Sequence, residues 1–447
     1  MQKKTRPGLT SQIKDKLIQQ ALERRLKQTE KTDTPAINLA AENINIPEKH
    51  YRFNLHPGYQ QIRIINEGAS RFNIESPFFK VHDGTAGATT QINSKKYINY
   101  ASYNYLGLSG HPQVNEAAKK AIDQYGTSVS ASRIVSGERP IHRELEQKIA
   151  SLYDTDDAIV LVSGHATNVT TIGHLFNNKD LILHDELIHN SILQGITLSG
   201  AKRLSFAHND SSALEKILIN QRQHYERVLI ILEGIYSMDG DYPNLPKFIE
   251  LKNTYKTFLM VDEAHSFGVM GKTGLGIREH FNLNGADVDI WMGTLSKSLA
   301  GCGGYIAGET ALIEHLKFMA PGFLYSVGMS PPVAAASLAA LQCQLSEPER
   351  VTTLQERGEF FLQQAKAAGI NTGSSTGLAV IPVITGSSVK AARLSASLFE
   401  RGINVQPILY PAVQEKSARL RFFISCQHTE SQIMETIQAV SEELEHL

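Results

Sequence analysis

The sequence predicts an α/β fold built on a mostly parallel sheet, joined to a smaller α+β domain near its C-terminal end. Three observations carry that prediction. Short apolar runs recur along the chain, helical-period segments separate them, and small, hydroxylic or titratable residues stand directly after the runs. Nearly continuous apolar strands alternating with helices are the pattern of a parallel sheet covered on both faces.

Residues 1–50 differ from the rest. Between Lys14 and Thr32, Leu17, Ile18, Ala21, Leu22 and Leu26 recur at helical spacing among strong helix formers and give one apolar face. From Asp33 to His50 the chain is polar and aperiodic, broken by Pro35 and Pro47, so a helix and then a linker are expected. The helix reads as an arm packed on its own domain or on a second subunit, or as a docking helix for a carrier or multienzyme partner. From about Tyr51 a strand–helix alternation is expected. Ala158–Val162, Leu181–Leu183, Val228–Leu232 and Phe258–Val261 read as buried strands; Ile141–Tyr153, Ser191–Ser199 and Ser212–Gln221 read as helices. After Met329 an Ala/Leu-rich helix begins, followed by apolar Leu378–Ile384, a helix near Val389–Arg401 and a strand Leu420–Ile424. The expected domains are therefore 1–50 (helix and linker), 51–328 (large domain) and 329–447 (small domain).

Composition narrows the function classes. Lys and Arg number 44 against 45 Asp and Glu in 447 residues, a net charge of −1, which argues against a nucleic-acid partner. No apolar stretch approaches the roughly 18 residues of a membrane span, and no apolar core follows the basic opening, so a cytoplasmic protein is expected. Cys302, Cys343 and Cys426 fit neither a disulfide framework nor a metal site.

Three strand-end segments carry the chemistry, because such folds place ligands at the C-terminal ends of parallel strands. In Val261-Asp262-Glu263-Ala264-His265, a carboxylate after a buried strand is costly unless paired. Asp262 can hold a protonated ring nitrogen and His265 a nearby oxygen, although taken alone Asp262 also reads as a cap for the next turn. In Gly293-Thr294-Leu295-Ser296-Lys297-Ser298 and the glycine-rich turn after it, Lys297 has the open surroundings of a Schiff-base lysine, with a solvated surface lysine as the plain alternative. Thr294, Ser296 and backbone N–H groups there can donate to a phosphate. Ser163-Gly164-His165-Ala166-Thr167-Asn168 forms a strand–Gly–helix junction whose N–H groups also suit a phosphate. His189 can stack on an aromatic ring, and Glu233 and Ser237 follow another buried strand. A stacking imidazole, an acid, a hydroxyl, a lysine and a phosphate cradle are together what pyridoxal 5′-phosphate (PLP) requires. The glycine and lysine spacing is wrong for a P-loop, and no metal site is expected.

With these motifs and Tyr103-Asn104-Tyr105-Leu106-Gly107-Leu108, Glu233-Gly234-Ile235-Tyr236-Ser237-Met238-Asp239-Gly240 and Ala418-Arg419-Leu420-Arg421, the chain from about Phe78 onward resembles the α-oxoamine synthases. The resemblance implies a fold-type I PLP-dependent transferase with a seven-stranded sheet in its large domain, acting as a homodimer with the site at the subunit boundary. It implies Lys297 as the cofactor lysine and base, His189 against the pyridine ring, Asp262 on the ring nitrogen, and Ser237 and His265 on the phenolic oxygen. Thr294 with the backbone of Gly164 and His165 would hold the phosphate, and Glu233 would support the site from behind. Asn104 and Arg421 would anchor the substrate carboxylate, and His165, His189 and His265 are candidates to assist proton transfer.

The implied reaction joins serine, alanine or glycine to an acyl thioester, carried by CoA or an acyl-carrier protein, with release of thiol and CO2. A fold-type I aminotransferase is the alternative. One departure stands out: in Tyr325-Ser326-Val327-Gly328-Met329-Ser330-Pro331-Pro332, Val327 and Gly328 replace hydroxyls that the family uses for a phosphate contact across the dimer. Ser326 or Ser330 would substitute. Met-Ser-Pro-Pro and Gly-Gly-Tyr lean toward members of the serine palmitoyltransferase type, while the opening helix leans toward members that accept acyl groups from carrier proteins.

Overall fold

The computed structural model describes residues 46–71 and 76–447. The Lys14–Thr32 helix and most of the linker lie outside them. The chain divides into two compact units, Met1–Gly68 and Ala69–Leu447. In the first, Glu48–His50 and Phe53–Leu55 are single 3₁₀ turns; the helix Pro57–Arg71, which crosses the division, opens on proline, as a first helical turn tolerates. The alternation thus starts later than Tyr51.

The second unit begins with β1 (Thr89–Ile92) and β2 (Lys95–Asn99), an antiparallel hairpin across Asn93 and Ser94, both in the left-handed region. The central sheet follows: β3 (Asp157–Leu161), β4 (Leu181–Asp185), β5 (Lys202–Phe206), β6 (Val228–Glu233), β7 (Phe258–Asp262), β8 (Ile290–Thr294) and β9 (Gly304–Gly308). Their order is β3-β9-β8-β7-β6-β4-β5, seven strands of which only β9 runs antiparallel to its neighbours. Alternate residues of β6 face opposite layers. Val228, Ile230 and Leu232 join one apolar core, while Leu229 and Ile231 join the other with Ile172, Ile192 and Ile196 from the covering helices. That two-sided burial is why the run VLIIL carries no polar alternation.

Beyond β9 come a helix Pro331–Ser346, then β10 (Val380–Ile384), β11 (Ile403–Asn404), β12 (Gln406–Ile408) and β13 (Arg419–Phe423). These strands form the antiparallel sheet β10-β13-β12, while β11 adds to the β1–β2 hairpin. The apolar runs fall on strands within a residue or two of their expected bounds. The glycine-rich turn after Lys297 is a correction: Gly304 and Tyr305 belong to buried β9. A Cβ on Gly304 would come within 2.5 Å of Thr167 Oγ1 and 2.8 Å of Gly164 Cα, so this glycine serves close approach between strand and helix. β5 escaped the sequence reading because it is an edge strand with Lys202 and Arg203 in solvent.

Candidate active site

Chain order along the sheet changes direction at β4: β5 lies on one side of it and β6 to β9 on the other. At such a switch the loops leaving neighbouring strands part and open a crevice at the strands' C-terminal ends. The loops and helices after β3, β4, β6, β7 and β8 supply the predicted residues. A cavity there is lined by Gly164, His165, His189, Glu233, Asp262, His265, Thr294 and Lys297, together with Asn168 and Ser191. Lys297 also lines a second cavity of about 380 Å³, which contains Tyr103, Asn104, Ser109 and His82. The amine therefore stands between two chambers. A larger cavity of about 500 Å³, with Phe176, Phe258 and His315, opens at the opposite end of the strands, away from these groups.

One amide links the acid to the stacking imidazole. Asn168 Nδ2 donates to Asp262 Oδ2 at 2.8 Å and to Ser191 Oγ at 2.9 Å, and Ser191 Oγ lies 2.7 Å from His189 Nδ1. Asp262 Oδ1 accepts the Ala264 N–H at 2.9 Å. His189 caps its helix by accepting the Ser191 N–H at Nδ1, which leaves the ring proton on Nε2. Burial outweighs the attraction of Asp262 and lowers the His189 pKa, so a neutral ring is favoured. Asn168 and Ser191 were not assigned roles from sequence. Asn168 lies one helical turn after Gly164, and that spacing was the available signal.

His265 is buried with Nδ1 2.7 Å from the Tyr105 hydroxyl. Burial, and then the nearby Lys297 and Arg421 charges, hold its pKa well below 6.5. With Tyr105 donating to Nδ1, the proton stays on Nε2, free to meet an anionic oxygen. Glu233 sits beside Asp262 in the β6–β7 register and accepts the Ser237 N–H at 3.2 Å. Burial and then the Asp262 charge push its carboxyl well above its ordinary pKa. Lys297 is drawn down from 10.5 to about 8 by burial, against the pull of Asp262 and Glu233. Its Nζ lies 5.6 Å from the Tyr103 ring centroid.

Gly164, His165 and Thr294 lie together at one end of the cavity. A Cβ on Gly164 would fall 2.8 Å from Thr294 Oγ1, so only glycine lets this helix start so close to the end of β8. Thr294 Oγ1 meanwhile donates to Gly303 C=O at 3.0 Å. Ser237, Asn104 and Arg421 do not line the first cavity. Arg421 reaches from β13 to donate to Ser237 C=O at 3.0 Å. Asn104 already uses both ends of its amide: Nδ2 donates to Ala86 C=O at 2.8 Å and Oδ1 accepts the Ser109 N–H at 3.1 Å.

The departure at Gly328 has a packing reason. The Gly328 N–H donates to Ala131 C=O at 3.0 Å, and a Cβ there would come within 2.9 Å of Val129 Cγ2 and 3.0 Å of Arg133 Cγ. Ser330 Oγ donates to Thr127 C=O at 2.7 Å and Ser326 Oγ lies 3.3 Å from Val327 C=O, so both hydroxyls are engaged within this chain. Among the described residues, no group of three or more His, Cys, Asp or Glu is placed to hold a metal ion, and no helix is long and apolar enough to cross a membrane.

Comparison with known proteins agrees with this geometry. Residues 95–440 match the family model "Aminotransferase class I and II". The chain is 37% identical over 365 residues to 8-amino-7-oxononanoate synthase of Bacillus pumilus, covering 82% of this chain and 92% of the relative. It is 41% identical over 350 residues to the enzyme of that name from Fervidobacterium nodosum, covering 78% and 88%. Its structure superposes with a TM-score of 0.83 on a serine palmitoyltransferase variant from S. paucimobilis carrying a PLP–myriocin aldimine, at 25% identity over 87% of this chain and 99% of the other. Sequence, sheet order and strand-end chemistry therefore agree: the chain belongs to the class I and II aminotransferase family and, within it, to the α-oxoamine synthases.

Proposed function

We propose that this protein catalyses a PLP-dependent decarboxylative condensation, joining a small amino acid to an acyl thioester to give an α-amino ketone, free thiol and CO2. The observation that carries the reading is the Lys297 amine. It is held near pKa 8 between two cavities, one of which it shares with Asp262, Glu233, His189 and His265.

The residues present fit the cofactor. Glu233 Oε1 and Asn168 Oδ1 are buried without partners in this pocket, and the absent Cβ of Gly164 leaves room at a helix N-terminus beside Thr294. Asp262 would hold the proton on the ring nitrogen, His189 would cover a ring face, and Ser237 with His265 would take the phenolic oxygen. Thr294 with the N–H groups of Gly164 and His165 would hold the phosphate. When bound, the cofactor supplies an aldehyde for exchange with the substrate amine and an electron sink for charge at the α-carbon.

The chain's own groups do the rest. At pKa about 8, roughly a tenth of the Lys297 amine is free base at pH 7, so Nζ can take a proton from the α-carbon and return it. His265 Nε2 donates to the phenolic oxygen, and Tyr105 on Nδ1 holds that tautomer. Arg421 binds the substrate carboxylate with its planar fork. Asn104 would assist with the second N–H of its amide, the first being held by Ala86 C=O. A homodimer, with the site at its boundary and in the cytoplasm, belongs to the same proposal. Exposed Ile134, Val135, Tyr325 and Val327 support it, lying on two segments joined by the Gly328–Ala131 bond.

The test is a screen of glycine, alanine and serine for changes in the absorbance of the PLP-loaded protein, followed by mass detection of the condensation product with acyl-CoA and with acyl-carrier protein. One amino acid should shift the spectrum and yield product lacking its carboxyl carbon. A protein that binds no PLP, or whose spectrum no amino acid changes, would overturn the reading.

A further inference from the structure

β13 carries two arginines two residues apart, Arg419 and Arg421, which therefore leave the strand on the same side. Both reach the same turn of the large sheet, Tyr236–Asp241, yet they are satisfied very differently. Arg419 is neutralised: Nε donates to Ser417 C=O at 2.8 Å, Nη1 donates to Met238 C=O at 3.0 Å, and the guanidinium pairs with Asp239. The pair is largely buried, with side-chain exposures of 7% and 15%. Arg421 has weaker partners in the turn, the Ser237 carbonyl at 3.0 Å and the Met238 thioether at 3.3 Å, and its Nε is buried with no partner.

The turn itself is rigid. Tyr236 N–H donates to Asp241 C=O and Gly240 N–H to Tyr236 C=O, each at 2.9 Å. Gly240 has φ +73°, and a Cβ there would meet Val380 C=O of β10 at 1.9 Å. Thr376 adds its N–H and hydroxyl to Gly240 C=O. On the other side, His208 bridges Asp241 at 2.8 Å and Asp185 at 2.9 Å.

We propose that the Arg419–Asp239 pair is a positioning element for the reaction: it seats β13 on the Tyr236–Asp241 turn so that the under-satisfied Arg421 is presented to the substrate carboxylate at fixed depth. The pair touches neither substrate nor cofactor. Its work is division of labour between two like charges, one neutralised to hold the strand and one left short of partners to receive an anion. This rests on the functional reading above, in which the substrate is an amino acid.

The test uses PLP-loaded full-length protein and the amino acid that shifts the wild-type spectrum. Arg419→Gln and Asp239→Asn should each keep cofactor content and resting absorbance. Each should raise the half-saturating amino-acid concentration about 10-fold and leave KM for the acyl thioester within about twofold. The double variant should be no worse than either single one, because both remove the same pair. Arg419→Lys should recover part of the loss, since it keeps the charge but not the fork. Arg421→Gln should raise the same concentration by about 100-fold or more. The inference is overturned if Asp239→Asn folds and leaves amino-acid affinity unchanged, if both substrates' KM values rise alike, or if the two losses multiply. A wild-type protein that answers to no amino acid overturns the functional reading and this inference together. A responsive wild type with an indifferent Arg419→Gln overturns this inference alone.

Discussion

The two ends of the central sheet handle charge in opposite ways. At the end where β4, β6 and β8 begin, charges are matched. Arg227 holds Asp180 at 3.0 Å, Lys252 holds Asp289 at 3.2 Å, and Arg143 pairs with Asp157 at the start of β3. At the end where those strands finish, Glu233, Asp262, Lys297 and Arg421 make no ion pair among the described residues, although all are largely buried. Asp262 is met by the Asn168 amide and the Ala264 N–H, Glu233 by the Ser237 N–H and Arg421 by the Ser237 carbonyl, while Glu233 Oε1 and Arg421 Nε are buried without partners. Unpaired buried charge costs stability. A fold that neutralises it at one end and leaves it at the other marks the second end as the place where a ligand completes the set.

That contrast breaks most visibly at Lys297. Lys297→Ala should lower condensation roughly 10³- to 10⁴-fold and remove the absorbance of lysine-linked cofactor, with the folded state intact by circular dichroism. Full activity in purified Lys297→Ala would refute the assignment. Asp262→Asn keeps shape and the Asn168 contact region but removes the charge, and should reduce kcat roughly 10²-fold with little change in melting temperature.

His208 sharpens the comparison, because it stands at the ligand end and is nevertheless held by two carboxylates. Its pairs with Asp185 and Asp241 raise its pKa from 6.5 to about 10, against the opposing effect of burial. A raised folded-state pKa means that this stabilisation is whole below about pH 6.5 and drains away as the pH rises toward 10. His208→Gln should cost about 3 kcal/mol near neutral pH and flatten stability between those values, read by denaturant unfolding across pH. The smallest effect lies at the other end. Asp289→Asn should leave kcat unchanged and cost about 1 kcal/mol, since Asp289 serves only Lys252 and the Leu259 N–H. A catalytic loss at Asp289 comparable to that at Asp262 would erase the distinction between the ends.

The buried strands were legible because two-sided burial writes itself as continuous apolar runs, and the strand-end motifs were legible because they follow those runs. Asp262, His189, Lys297 and Gly164 meet in one pocket for that reason. What the sequence hid depends on contacts across long separations. Asn168 becomes the link between Asp262 and His189 only when the helix after β3 lies over β7, 94 positions further along. The start of β9 looked like a turn because Gly304 is selected by close packing against Thr167 and Gly164 rather than by chain reversal. Arg419 stood in the same motif as Arg421, but which of the two is neutralised depends on Asp239, 180 residues away. Asn104 was read as an anchor for the substrate carboxylate, and only the structure reveals that one N–H and the oxygen of its amide are held by Ala86 and Ser109.

The central claim is that Lys297 and its pocket serve a condensation rather than an amino-group exchange, and stoichiometry tests it most directly. PLP-loaded protein should be given a carboxyl-labelled amino acid and an acyl thioester, with thiol and labelled CO2 counted in the same reaction. The account predicts one CO2 for each thiol, and none of either without both substrates. Conversion of the amino acid to its 2-oxo acid, with the carboxyl label retained and no thiol released, would contradict it.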